Sequence, residues 1–404
     1  LYIPILVVSV EVWVAIWQGY PPRTDLGEPK NPVDRSIAVH SGESKFSQNS
    51  HPSLAVLLPA HNEAGDLPQT LATILPQLGP QDRLVVVADN CTDETADLAR
   101  AAGAVVLERQ EPDRRGKGYA LDFGLQYLAQ QPPDVVVLVD ADCRVTPGSL
   151  GQLAGQVART QCPAQAINML TPPAQATPRD AISALAFTLK NFVRPLGLHG
   201  LGQPCLVSMG VAIPWQQFQQ LTLASGNLVE DMQMGIDLAL NGSPAQFCPG
   251  ALVTGLLPQS GTAVVSQRTR WEQGHLQTLK QQVPQLLRAA WQQRRLALLS
   301  LALELSVPPL TVLVLLWLGS LGLSAMAGLF GVATWWPFAL LVVAGVILLV
   351  AVLGSWYQFC RASIPAQVLL SIPRYIVWKL PLYFKFLIKP QTQWIRTERD
   401  TPSS

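Results

Sequence analysis

The chain lacks the glycine signatures of the commonest nucleotide-binding folds. No G-x-G-x-x-G follows its first strand-like run, and no G-x-x-x-x-G-K-[ST] occurs anywhere. These absences argue against a dinucleotide dehydrogenase and a P-loop NTPase. Cysteine pairing is also missing. Cys91, Cys143, Cys162, Cys205, Cys248 and Cys360 are scattered without a C-x-x-C, which disfavours a zinc site or disulfide framework and suits a reducing cytosolic face. Charge is scarce, at 14% of 404 residues, and balanced to a net +1, so nothing points to nucleic acid as a partner. What is abundant is aliphatic: 49% of residues are hydrophobic, concentrated towards the two ends. That distribution predicts one soluble domain of about 240 residues between membrane segments.

The middle of the chain alternates buried strands with amphipathic helices. Leu54–Leu58, Leu84–Ala88, Ala104–Leu107 and Val135–Val139 read as short strands buried on both faces. Helical patterns lie between them: one with Leu67, Leu71 and Ile74 on its apolar face and Asp66 as cap, one with Thr92 as cap and Gly103 at its end, and one from Tyr119 to Ala129. This predicts an α/β fold with a mostly parallel sheet and helices on both faces. Further on, Ala166–Leu170 reads as a strand, 206–214 as a strand or a packed loop, and Ala181–Phe192, 229–241 and 266–279 as helices.

The chemistry gathers where those strands end. Val135–Val139 runs into Asp140-Ala141-Asp142. Ligands of open α/β sheets sit at the carboxyl ends of strands, and residues i and i+2 of an extended segment point the same way. Two carboxylates facing one small volume need a proton or a cation between them, and a hard divalent ion that also holds phosphates, Mg²⁺ or Mn²⁺, supplies it. A plain turn is the competing reading, since Thr146-Pro147-Gly148 follows.

Both ends read as membrane. Leu1–Trp17 is apolar apart from Ser9 and Glu11. A membrane helix cut short at its start is favoured over the tail of one or a signal peptide. Glu11 is costly there unless it meets an interface or another helix. Residues 20–53 read as a linker, and 54–280 as the soluble α/β domain. Within 281–360, Leu296–Leu323, broken by Pro308-Pro309, and Trp335–Tyr357 predict a transmembrane hairpin. Arg294-Arg295 before it and Arg361 after it put the central domain on the cytosolic side. In 361–404, the basic-aromatic stretch from Ser371 to Ile388 reads as an interfacial segment lying in the headgroup plane, a span being the alternative.

Six motifs in order resemble the family 2 glycosyltransferases, GT-A enzymes that include the cellulose, hyaluronan and chitin-oligosaccharide synthases. They are Pro59-Ala60-His61-Asn62-Glu63, Asp89-Asn90-Cys91-Thr92-Asp93, Arg115-Gly116-Lys117-Gly118, Asp140-Ala141-Asp142, Glu230-Asp231 and Gln267-Arg268-Thr269-Arg270-Trp271. The last is of the Q-x-x-R-W type found in membrane-embedded polysaccharide synthases and some lipid glycosyltransferases. Ala88 stands where many relatives have an acid, leaving Asp89 alone there. The resemblance implies a GT-A domain that uses a nucleotide-sugar donor, a UDP-sugar, and inverts at the anomeric carbon. Ala60, Glu63, Asp89, Lys117 and Asp140 would hold the donor nucleotide, and Asp140 with Asp142 the metal. Asp231 would be the base, with Glu230 beside it. Gln267, Arg268, Arg270 and Trp271 would close on the diphosphate and the acceptor. Each has a plainer alternative: helix capping for Glu63 and Asp89, a solvated lysine for Lys117, a helix-start acid for Asp231, and an interfacial pair for Arg270 and Trp271. The expected acceptor is a growing cell-surface glycan, or alternatively a lipid taking one sugar. A non-catalytic scaffold is the reading from another class, opposed by the presence of the metal, base and Q-x-x-R-W residues together. A pore for a polymer would need a partner subunit or a second copy. Glu304 is read as a polar residue beside the proline break, or as lining a glycan or lipid path.

Overall fold

A computed structural model describes residues 1–20, 52–171, 177–221, 223, 229–257 and 261–388. Most of the expected linker and the C-terminal tail lie outside them. The chain runs α1 (Tyr2–Trp17), β1 (Leu54–Ala60), α2 (Leu67–Ile74), β2 (Arg83–Asp89), α3 (Thr95–Ala101), β3 (Val105–Arg109), α4 (Lys117–Leu128), β4 (Val135–Leu138), β5 (Cys143–Val145), α5 (Ser149–Thr160) and β6 (Ala164–Thr171). It continues through α6 (Pro178–Thr188), a π-helical turn (Leu189–Val193), α7 (Arg194–Gly200), β7 (Val211–Pro214), α8 (Glu230–Leu240), β8 (Gln246–Leu256), α9 (Gly261–Gln293) and α10 (Leu296–Ser306). The last elements are α11 (Leu310–Leu329), α12 (Trp336–Ser355), α13 (Ala366–Leu369) and α14 (Ile372–Ile388).

Eight strands form one sheet in the order β3-β2-β1-β4-β7-β6-β8-β5. The first four are parallel, with Val56 opposite Leu84 and Val137. Beyond β4 the expectation of a mostly parallel sheet fails: β7 is antiparallel to β4 and β6, β8 is parallel to β6, and β5 is antiparallel to β8. The sheet is mixed because the chain returns through β7 without a βαβ crossover.

Strand alternation divides the core into two faces. Val56, Leu58, Val86 and Val137 pack with Leu67, Leu71 and Ile74 of α2 and Leu150, Leu153 and Val157 of α5. Ala55, Leu57, Val85, Val87 and Val136 pack with Ala120, Leu121 and Leu128 of α4 and Leu238 of α8. At roughly 25 cal/mol per Å² of apolar surface, these two faces are the main favourable term of the domain. Helix α4 reaches the sheet because Gly124 carries no side chain; a Cβ there would lie 2.4 Å from Leu57 Cδ1.

Two expected caps differ. Asp66 occupies the N-cap position of α2 without a side-chain cap bond. α3 starts after Glu94 rather than Thr92, because Thr92 is engaged by Asn62, whose Oδ1 accepts the Thr92 N–H at 2.7 Å. Gly103 does follow α3 with φ +87°, donating its N–H to the Arg100 carbonyl.

The apolar run expected as the first span is two helices. α10 is a core helix: Leu298, Leu301, Ala302 and Leu305 pack against Met232, Ile236 and Ala239 of α8 and Leu286 of α9. Pro308-Pro309 ends it, since proline removes the donor and clashes with the preceding turn, and α11 begins at Leu310. Arg294-Arg295 therefore precede a packed helix rather than a span. Arg295 donates to the Ala239 carbonyl at 2.9 Å. α11 and the helix continuing α12 to Cys360 are long and apolar enough to cross a membrane. α11 leaves Leu316, Leu318 and Leu323 exposed, the surface expected of a helix facing lipid.

α1 packs on α7 and α12, with Ile5, Val8, Val12 and Ala15 buried. Glu11 has a partner: its carboxylate takes Arg194 of α7, and both side chains are buried. Glu304 takes part in the same network. Its carbonyl accepts from Arg194 at 3.0 Å and its carboxylate accepts the Leu206 N–H at 2.9 Å, which makes it a buried brace rather than a path-lining acid. α14 is one helix through Pro381. It lies against α9: Lys379 and Tyr383 both reach Glu272, and Tyr375 and Lys379 are buried against protein while Val377 is exposed.

Candidate active site

The ends of β1, β2 and β4 open into a cavity of about 1200 Å³. Two asparagines turn the chain there. Asn62 and Asn90 take positive φ, +54° and +52°, a conformation asparagine tolerates because its short polar side chain bonds locally. The Asn90 Oδ1 accepts the Glu111 N–H at 2.9 Å. Glu63 and Ala60 line the cavity; Glu63 is buried and donates its backbone N–H to Thr95 Oγ1 at 2.8 Å.

Asp89 is not a helix cap. Its Oδ1 accepts from Arg109 at 2.6 Å and from Asn90 Nδ2 at 3.0 Å. Both members of the Arg109–Asp89 pair are buried. Arg109 also donates to the Arg114 carbonyl at 2.8 Å and pairs with Glu111 at 2.9 Å, which ties β3 to the loop before α4. Sequence reading missed Arg109. Its isolated position at a strand end carries no motif, and only the β2–β3 register brings it beside Asp89.

Asp140 and Asp142 converge, but through a turn rather than strand alternation. β4 ends at Leu138, and the Cys143 N–H donates back to the Asp140 carbonyl at 3.1 Å. Ligand atoms of Asp140, Asp142 and Cys143 all lie within 4.8 Å of one another. The thiol does not belong to the donor set. Burial, with the Asp142 charge beside it, holds the Cys143 pKa well above the usual thiol range. Two carboxylate oxygens open to a cavity fit a hard divalent ion such as Mg²⁺ or Mn²⁺, which prefers oxygen.

Lys117 is not a solvated surface lysine. At the first residue of α4, its Nζ lies 2.6 Å from Asp140 Oδ1 and 2.9 and 3.0 Å from the two oxygens of Asp231. Burial works against its charge, but Asp140, Asp231 and Glu230 outweigh it and hold the ammonium protonated far above the ordinary lysine range. One ammonium thus joins the candidate metal ligand to a candidate base that lies 114 residues further along the chain from the lysine. Burial lifts the Asp140 carboxyl above its ordinary range; Lys117 opposes the rise, while Asp231 and Asp142 add to it. Glu230 and Asp231 open α8. Burial and the neighbouring Asp231 push the Glu230 carboxyl up to about 7, against the pull of Lys117 and Arg270.

The Q-x-x-R-W residues line the same cavity from α9, and they divide in two. Arg270 faces the acids: it acts on Glu230, and its Nε is buried with no hydrogen-bond partner among the described residues. A buried guanidinium donor without a partner is suited to an anion. Trp271 packs on Phe187 of α6, ring centroids 6.0 Å apart. Arg268 instead turns to α14, over the rings of Tyr375 and Trp378 at 5.9 and 5.5 Å. Gln267 is on the lining without a described hydrogen bond of its side chain.

A mixed α/β sheet with an acid-lined, cation-seeking cleft at its strand ends is the arrangement of an enzyme that holds an anionic ligand through a metal. The chain belongs to the glycosyltransferase like family 2, whose sequence profile matches residues 51–274. It is 36% identical over 109 residues to a low-salt glycan biosynthesis hexosyltransferase of Haloferax volcanii, covering 26% of this chain and 25% of that one. It is 24% identical over 250 residues to a probable glycosyltransferase of Bacillus subtilis, 55% of each chain. It is 36% identical over 96 residues to a glucosyl-3-phosphoglycerate synthase of Mycobacterium tuberculosis, covering 22% of this chain and 29% of that one. The chain thus spans about half or less of the curated relatives it matches. Among solved structures, it aligns with a mannosyltransferase of Pyrobaculum calidifontis in complex with GDP-Man and Mn²⁺ at 17% identity and a TM-score of 0.48, over 96% of this chain and 99% of that one.

Proposed function

We propose that the protein is a membrane-associated inverting glycosyltransferase that moves one sugar from a nucleotide-sugar donor, a UDP-sugar, to an acceptor hydroxyl. The observation that carries this reading is the cluster of Asp140, Asp142, Glu230 and Asp231 around Lys117, on one cavity with Arg270. Asp140 and Asp142 would hold Mg²⁺ or Mn²⁺, which when bound neutralises the departing diphosphate as a Lewis acid. Ala60, Glu63 and Asp89 receive the nucleoside at the ends of β1 and β2. The Asp89–Arg109 pair fixes that wall, so the donor meets a preset surface. Arg270 offers its unpartnered Nε to the diphosphate, and Trp271, steadied by Phe187, offers its ring face to a sugar.

Asp231 takes the acceptor's proton as the hydroxyl oxygen bonds to the anomeric carbon; the bond from that carbon to the diphosphate oxygen breaks on the opposite face. Lys117 sets the orientation of Asp231 by holding both its oxygens. Glu230 is the rival base, because its pKa of about 7 matches a proton acceptor working near neutrality. The pairing of Asp231 with Lys117, which fixes its carboxylate in place, favours Asp231.

The acceptor end favours a lipid-linked substrate over a free polymer. Past Trp271 the cavity reaches α1, the α10–α11 break and α14, which are apolar or amphipathic helices. Extension of an exopolysaccharide is the second reading and keeps the same donor chemistry, with a partner subunit or second copy completing a channel. The test is to incubate protein-bearing membranes with a panel of labelled nucleotide sugars and to separate lipid from polymer products. Label in a lipid product is expected; absence of binding and transfer with every donor would overturn the assignment.

A further inference from the structure

The inner end of the cavity holds a cation that the transfer chemistry does not use. Lys190 lies in the π-helical turn between α6 and α7 and lines the cavity there. Its side chain is exposed where it lines the cavity. Among the described residues it has no hydrogen bond and no carboxylate within ion-pair distance. The acids nearest in effect, Glu304 and Glu272, are committed elsewhere: Glu304 to the Leu206 N–H, Glu272 to Lys379 and Tyr383. Neighbouring Arg194 is already paired with Glu11. Burial, with the Arg194 charge adding to it, pulls the Lys190 pKa down to about 8.

A cation on a cavity wall with no counter-charge in reach is available to an anionic ligand. π-helical turns within α-helices are also frequent at functional sites. The surroundings say what kind of anion. Phe187, Val8, Pro309 and Leu310 line the cavity near this end, and Leu310 starts α11, whose apolar side chains are exposed. An aliphatic chain finds apolar partners among these residues.

We propose that this end of the cavity takes a phosphate group of the acceptor, carried on an aliphatic chain, with Lys190 as its counter-cation. The acceptor is thus an anionic lipid whose hydroxyl-bearing head extends towards Asp231. This rests on the transferase reading and adds the class of acceptor to it.

The test uses the full chain purified in detergent, with dodecyl phosphate and dodecanol as matched probes, glycerol 3-phosphate as a soluble phosphate, and a UDP-sugar as donor. Dodecyl phosphate is expected to bind at least about tenfold more tightly than either dodecanol or glycerol 3-phosphate. Lys190→Met removes about tenfold or more of that affinity, the worth of one charge-assisted hydrogen bond. Lys190→Arg retains it, and donor affinity is unchanged in both variants. In a second arm, labelled donor is incubated with a total lipid extract, and the product is expected in the fraction an anion exchanger retains. Equal binding of dodecanol, or an unchanged Lys190→Met, overturns the proposal. So does glycerol 3-phosphate binding as tightly as dodecyl phosphate, or label confined to neutral lipid or soluble glycan. If the donor binds and the phosphate probe does not, the inference alone fails; if no donor binds, the transferase reading fails and the inference falls with it.

Discussion

Breaking the Glu11–Arg194 pair is a direct test of how α1 is held. Glu11 is 2% and Arg194 5% exposed. The guanidinium donates through Nε to one Glu11 oxygen, and its other donor lies 3.4 Å from the second oxygen and 3.0 Å from the Glu304 carbonyl. Glu11→Leu leaves that guanidinium buried without its partner, which costs about 3–5 kcal/mol. The Glu304 carbonyl still accepts from Arg194 at 3.0 Å, so the lower end, about 3 kcal/mol, is expected. An unfolding entropy of roughly 2 cal/mol/K per residue makes that a loss of about 4 °C in Tm for the whole chain, and more if a smaller unit melts alone. Arg194→Met strands Glu11 in the same way. The double variant Glu11→Leu/Arg194→Met removes both charges and leaves apolar side chains of similar reach, so it is expected within about 1 kcal/mol of the parent. The assay is thermal unfolding of the four proteins in one detergent. A single variant that melts within 1 °C of the parent, or a double variant as low as the sum of the singles, would refute the claim that this pair is buried and coupled.

Asp231→Asn is expected to keep donor affinity within a few-fold and lower kcat by roughly 10²- to 10⁴-fold, with Glu230→Gln milder; the reverse order in single-turnover assays would transfer the base role to Glu230. Chelation by EDTA should abolish transfer, with Mn²⁺ or Mg²⁺ restoring it, while full activity in metal-free buffer would remove the Asp140/Asp142 assignment. Gly197→Ala puts a Cβ 1.9 Å from the Glu11 carbonyl oxygen, so it should force α1 off α7 and increase proteolysis of α1, whereas Gly151→Ala in α5, at a site with nothing within 4 Å, should leave α1 protected. Glu230 binds its proton more tightly in the folded state, so its contribution to stability is full below about pH 4.5 and is lost as pH rises to about 7; Glu230→Gln should flatten that slope in unfolding measured across this range.

Local pattern determined a good part of this protein. Short apolar runs such as Leu54-Ala55-Val56-Leu57-Leu58, too brief for a helix, read as buried strands, and apolar residues at helical spacing between them make α2 and α4, so the parallel half of the sheet follows from run length and strand–helix alternation. The carboxylates at the end of β4 and the start of α8 were legible for the same reason, as polar residues where a buried run stops. The other half of the sheet was not legible, because β7, β6, β8 and β5 are short or irregular and their antiparallel or parallel sense is set by which strand they meet. One apolar run, 296–323, hid two fates: hydropathy scores α10 and α11 alike, and only the packing of Leu298, Leu301 and Leu305 in one cluster with Met232 and Ile236 of α8 and Leu286 of α9 separates a core helix from a span-length one. The same limit applies to charge. Sequence shows that Lys117, Asp140 and Asp231 are present, but an ammonium between two carboxylates 23 and 114 residues away is a property of the folded chain. Lys190 is the extreme case. No motif contains it, and its meaning comes from what tertiary packing withholds from it, an acid within reach, because Glu304 and Glu272 have been turned to other partners.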